Sequence, residues 1–121
     1  AAGKPLQGIE RPLLKELYVA EDGATARADM MEYLGREYRA YANYSALNWF
    51  DEQWEALMKH SLFVGSPEEV AEQMAPFVRM GFNHFVMRSF WGGLPWAKAE
   101  KSLRLFKEKV QPLLMQKLQA A

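Results

Sequence analysis

Short apolar runs alternate with helical stripes along this chain. Residues 13–20 end in Leu17-Tyr18-Val19-Ala20 and read as a strand. Glu21-Asp22-Gly23 stops it, and Asp22 or Thr25 can cap a following helix. In that helix Met30 or Met31, Leu34, Tyr38 and Tyr41 recur at three- and four-residue spacing, one apolar stripe with Arg27, Arg36 and Arg39 elsewhere on the surface. A second helical stretch over 48–59 carries Phe50, Trp54, Leu57 and Met58. Residues 61–64 form the next strand, and a helix over 67–80 turns Val70, Met74, Phe77 and Val78 inward. Pro76 should kink or break that helix, and Gly81 suits its end. Residues 83–88 read as a third strand, 89–95 as a loop. A last helix from Trp96 carries Leu103, Phe106, Val110 and Leu113 or Leu114, with a bend near Pro112. Residues 1–12, with two glycines and two prolines, read as a loop or linker ahead of the folded part, 13–121.

Strands alternating with helices imply βαβ units and a parallel sheet. Such sheets are covered on both faces. Three strands with helices on one side only would leave the other face bare. A doubly wound domain usually has five or six strands, and a (β/α)8 barrel takes about 250 residues. The pattern therefore predicts one section of a larger sheet or barrel, or assembly with another chain.

Composition narrows the chemistry. Half of the 121 residues are hydrophobic and a quarter charged, which suits a folded globular chain. Fifteen basic residues balance fifteen acidic ones, so no electrostatic ground exists for a nucleic-acid or anionic-membrane partner. Cysteine is absent, which removes thiolate and cysteine–zinc chemistry and fits a cytoplasmic setting. No apolar run is long enough to span a bilayer, and no secretory leader precedes the first strand. The first residue is Ala, so the N-terminus is processed or the chain is a piece of something longer.

Gly65-Ser66-Pro67-Glu68-Glu69 is the sharpest local signal. Strand-to-helix turns of this shape hold phosphates in many α/β enzymes. Ser66 also fits an N-cap, Pro67 the first helical position, and Glu69 the third, which makes a capping box. Two carboxylates at the positive end of the helix dipole oppose an anion there. The cap is the first reading and a phosphate contact the alternative. Arg88 ends the third strand, at the edge where α/β folds gather their sites. It can bind a phosphate, a carboxylate or a ring edge, or form an ion pair with a neighbouring helix. Phe90, Trp91, Gly92, Gly93, Leu94 and Trp96 make either a lid over an organic ligand or a hydrophobic plug. Tyr33, Tyr38, Tyr41, Tyr44, Trp49 and Trp54 fall at helical spacing and read as core or interface. His60 and His84 are isolated and form no metal site.

Taken in order, KELYVAED, LFVGSPEEVAEQM, GFNHFVMRSFWGGLP and KSLRLFKEKVQPLL resemble the C-terminal third of the luciferase-like flavin monooxygenases. Gly65, Pro67, Val70, Arg88, Gly93, Val110 and Pro112 match that family's pattern. Lys109 stands where an acidic residue is common, and Gly92-Gly93-Leu94 modifies the usual loop. The resemblance implies a (β/α)8 TIM barrel of which these three βα units are about the sixth to eighth. It implies reduced FMN, supplied by a separate flavin reductase, reacting with O2 to oxidise a small organic substrate. Some relatives use a deazaflavin for hydride transfer instead. It places Gly65, Ser66 and Arg88 against the cofactor and Phe90 and Trp91 against substrate, leaving the catalytic residues in earlier strands. The remaining partners it implies are the rest of the barrel, in the same or another chain, and a second copy in a homo-oligomer. A non-catalytic barrel piece that packs against a partner is the alternative.

Overall fold

A computed structural model describes residues 8–44 and 62–120, residues 41–44 by backbone alone. The stretch expected to be helical over 48–59, together with Trp49, Trp54 and His60, lies outside the described residues. Among the described residues three strands are present: β1 (Pro12–Val19), β2 (Leu62–Gly65) and β3 (His84–Arg88). They alternate with α1 (Gly23–Tyr44), α2 (Pro67–Arg79) and α3 (Trp96–Leu105). The last helix passes through a π-helical turn, Phe106–Val110, into α4 (Gln111–Gln119).

The sheet is wholly parallel, as the alternation predicts, in the order β2-β1-β3. Consecutive strands of a barrel would instead neighbour one another in chain order. Here the first crossover runs to one side of β1 and the second returns across it. Right-handed crossovers in opposite directions place their helices on opposite faces. One face packs Tyr18, Ala20, Leu62 and Val64 against Ala26, Met30 and Leu34 of α1, with Trp91, Leu94 and Ala99 completing the layer. The other packs Leu17, Val19 and Phe63 against Val70, Ala71 and Met74 of α2 and Leu105 and Val110. The bare sheet face expected from the arithmetic of three βα units is found in part: Leu14 and Val86, paired in register on the α1 side, stay exposed. The doubly wound order supplies helices to both sides.

Local chemistry explains the element ends. Asp22 caps α1: its carboxylate accepts from the Thr25 amide and hydroxyl, each at 2.8 Å. At the end of α2, Phe82 N–H donates to the Phe77 carbonyl and Gly81 N–H to that of Val78. This pair of bonds needs a left-handed residue between helix and strand, and Gly81 takes φ +104°. The Phe77 and Phe82 rings, 6.1 Å apart, close the motif with an apolar contact. The expected break at Pro76 does not occur, since α2 runs through to Arg79. Pro76 is exposed, so the carbonyl it leaves unpaired lies on the wet side of the helix.

Two side chains finish the sheet where strands cannot. The Gln73 amide accepts from Val64 N–H at 2.9 Å and donates to Val64 C=O at 2.8 Å, closing the outer edge of β2. β3 stops opposite Glu16, three residues short of the end of β1. Val19 N–H therefore has no strand beside it, and the buried Ser102 hydroxyl of α3 accepts from it at 2.9 Å.

Candidate functional site

When a parallel sheet reverses direction about a central strand, the connecting loops part and leave a crevice at the strands' carboxyl ends. That point lies here between β1 and β3. A cleft of about 230 Å³ opens at the end of β1, lined by Tyr18 through Asp22, Thr25 and Asp29 on one side and Lys98 and Lys101 of α3 on the other. Its polar groups are already paired. The Tyr18 hydroxyl donates to Asp29 at 2.9 Å, Lys98 pairs with the same carboxylate at 2.9 Å, and Lys101 with Glu21 at 3.2 Å. Burial, then the bond to Asp29, pushes the Tyr18 hydroxyl well above its usual pKa. The bond to Asp29 likewise raises Lys98. Tyr18 stays neutral and Lys98 charged at neutral pH.

Gly65, Ser66, Arg88, Phe90 and Trp91 all lie at this carboxyl edge, in two separate groups. Gly65 and Ser66 turn β2 into α2. Gly65 takes φ +149°, and a side chain there would run into the Glu69 side chain. The capping box is complete: Glu69 N–H donates to Ser66 Oγ at 3.3 Å and Ser66 N–H to Glu69 Oε1 at 3.2 Å. The Ser66 and Glu69 amides, which a phosphate would use, are thus occupied. Glu69 also pairs with Arg27 of α1 at 2.9 Å, joining the starts of two helices on opposite faces.

This cap has a pH signature. Burial pushes the Glu69 carboxyl up, but the Ser66 amide and Arg27 together outweigh it and hold the group below its usual 4.5. A depressed carboxylate stabilises the fold above its unfolded pKa, and the contribution disappears as pH falls through the folded one. Glu69→Gln is therefore expected to remove about 0.5 kcal/mol at about pH 7 and much less at about pH 3, discounted for the exposure of the pair. Melting curves at the two pH values check this, and an equal loss at both would contradict it.

Arg88 belongs to the second group. It sits directly across from Glu16 in the β1–β3 register. Its Nε and Nη2 bind the Glu16 carboxylate in a fork at 2.9 and 2.6 Å, and its Nη1 reaches Glu37 of α1 at 2.8 Å. Hydrogen bonds to Glu16, opposed by burial and joined by those to Glu37, push the guanidinium's pKa further up. Arg88 is thus held in an ion pair with a neighbouring helix and strand. Trp91 and Phe90 part company. Trp91 is 2% exposed and donates its indole N–H to Glu16 at 2.7 Å, while Phe90 is 50% exposed and meets Trp96 edge-on at 5.8 Å.

Sequence reasoning missed Glu16, the mostly buried carboxylate on which Arg88 and Trp91 converge. Its partners lie 72 and 75 residues away, so no local spacing signals them. Asp29 and Lys98 escaped for the same reason. Lone charges on helix faces look alike until tertiary packing joins them. Among the described residues no cluster of His, Cys, Asp and Glu is placed to hold a metal, and no helix is long and apolar enough to cross a membrane.

No protein-family model matches the chain, and no curated protein matches it. Among solved structures it is similar to the crystal structure of monooxygenase RslO1 from Streptomyces bottropensis, with a TM-score of 0.66 and 25% sequence identity. The match covers 84% of this chain and 30% of that one. In fold, this chain is similar to part of a monooxygenase.

Proposed function

We propose that this sequence is part of a flavin-dependent monooxygenase of the luciferase-like type, using reduced FMN and O2 on a small organic substrate. The observation that carries the reading is the likeness to a monooxygenase over 84% of the chain. It agrees with the ordered motifs from KELYVAED to QPLL. The candidate residues gather at the carboxyl edge of the sheet, where α/β enzymes hold their ligands.

The described residues do not by themselves make a complete flavin site. The cleft of about 230 Å³ falls below the roughly 300 Å³ at which ligand pockets begin. The Arg88 donors and the α2 capping groups are engaged internally. Flavin binding in this reading therefore draws on further parts of the enzyme, with Arg88 and the 89–95 loop at the pocket's margin. The strand order β2-β1-β3, with helices packed on both faces, favours a second reading, a non-catalytic α/β unit.

The test uses the protein purified from its natural source. Mixed anaerobically with photoreduced FMN, it should bind saturably and consume oxygen once air is admitted. Binding without oxygen consumption favours a reductase of hydride-transfer type, with a deazaflavin tried next. Failure to bind either flavin favours the non-catalytic reading. In the same protein Arg88→Ala is expected to cost about 1–2 kcal/mol, because Glu16 loses its cation. That figure is reduced from a fully buried pair because Arg88 is half-exposed. Flavin affinity measured beside stability separates a ligand contact from a purely internal one.

A further inference from the structure

We propose that Trp91 and Tyr18 form an electron relay, in which Tyr18 restores Trp91 after a one-electron oxidant has taken an electron from its indole. Both side chains are 2% exposed, and their rings lie 6.0 Å apart, tilted by 50°. That is the separation of aromatic rings in direct contact. In a chain without cysteine, indole and phenol are the side chains that lose one electron most readily.

Losing an electron makes either group strongly acidic, so each needs a base at hand. Here each has its own. Trp91 donates its indole N–H to Glu16 at 2.7 Å, and the Tyr18 hydroxyl donates to Asp29 at 2.9 Å. Both carboxylates are mostly buried. Phenylalanine would fill either position without calling for a carboxylate.

The step balances within the chain. The oxidant takes one electron from Trp91, whose N–H proton passes to Glu16 and leaves a neutral indolyl radical. Tyr18 then gives one electron to Trp91 and its hydroxyl proton to Asp29, while Glu16 returns the indole proton. Trp91 is restored and the radical rests on Tyr18. Burial and Asp29 keep the hydroxyl protonated until that moment, so electron and proton leave together. Phenoxyl is the lower-energy radical at neutral pH, which sets the direction. Tyr18 lines the cleft at the end of β1, where a small reductant can return the missing electron. The oxidants to be disarmed are radicals that leak from oxygen chemistry. That purpose rests on the monooxygenase reading, whereas the relay itself does not.

Pulse radiolysis tests the relay without flavin or oxygen. Azidyl radicals oxidise indoles, and the absorbances of indolyl and phenoxyl radicals are followed in the full chain. Trp49, Trp54 and Trp96 are replaced by phenylalanine, which leaves Trp91 as the only indole. Indolyl absorbance should give way to phenoxyl absorbance in a first-order step independent of protein concentration. Tyr18→Phe, which keeps the ring contact, should lose this step, and Asp29→Asn should slow it. Tyr38→Phe should leave it unchanged, although Tyr38 also bonds Glu16. Circular dichroism confirms that each variant is folded. Indolyl decay without phenoxyl, survival of the step in Tyr18→Phe, indifference to Asp29→Asn, or loss in Tyr38→Phe would each overturn the proposal. An intact relay in a protein that neither binds flavin nor consumes oxygen would support it while the monooxygenase reading fails.

Discussion

Replacing Trp91 by alanine is expected to destabilise the fold by about 3–5 kcal/mol, a large share of the stability of an ordinary domain. The indole is among the largest fully buried side chains described. It fills the layer between α1 and the sheet, lies 6.0 Å from the Tyr18 ring, and hydrogen-bonds Glu16. Alanine would leave both a cavity and a mostly buried carboxylate short of one donor. Trp91→Phe keeps most of the volume and loses only the bond, so about 1–2 kcal/mol is expected. Urea unfolding of the two variants checks the order. If Trp91→Ala stayed within about 1 kcal/mol of wild type, the 89–95 loop would be loosely held, and a moving lid would regain its appeal.

The second large effect belongs to Ser102, which is fully buried and accepts a hydrogen bond from the Val19 amide. Ser102→Ala should cost about 1–3 kcal/mol. The loss does not come from the deleted oxygen's packing. It comes from Val19 N–H, which is left buried at the end of the central strand with nothing to accept from it. Hydrogen exchange at the Val19 amide offers a local readout and should quicken beyond its neighbours in the variant. Unchanged exchange with unchanged stability would mean that water enters and replaces the hydroxyl.

These two residues show what was legible in advance and what was not. The turn at Gly65-Ser66-Pro67-Glu68-Glu69 could be read atom by atom, because a capping box is settled within four residues. The three strands and their parallel sense followed from alternation. Strand order did not. Nothing in the spacing of 13–20, 61–64 and 83–88 says which strand lies in the middle. That choice rests on contacts between residues about 70 positions apart, such as Glu16 with Arg88. Ser102 and Gln73 look like ordinary helix polar residues. Only the places where β3 ends and where β2 has no outer neighbour among the described residues give them work. The candidate site was legible as an edge, and Arg88 as its cation, but the carboxylate holding that cation was not.

The π-helical turn at Phe106–Val110 has a consequence for chain length. At about 100° per residue, five steps of regular helix from Leu105 would leave Val110 about 140° away, facing water. The wider turn spends one more residue on a single circuit, with Gln111 N–H reaching back to the Phe106 carbonyl, and returns Val110 beneath Leu105 in the same core. Four steps of ordinary helix would come equally close. The segment can therefore lose a residue between 106 and 110, tightening into a regular coil, without turning Leu113 and Leu114 from α2. Insertions and deletions, which elsewhere in a packed helix would scramble every later contact, can be absorbed here.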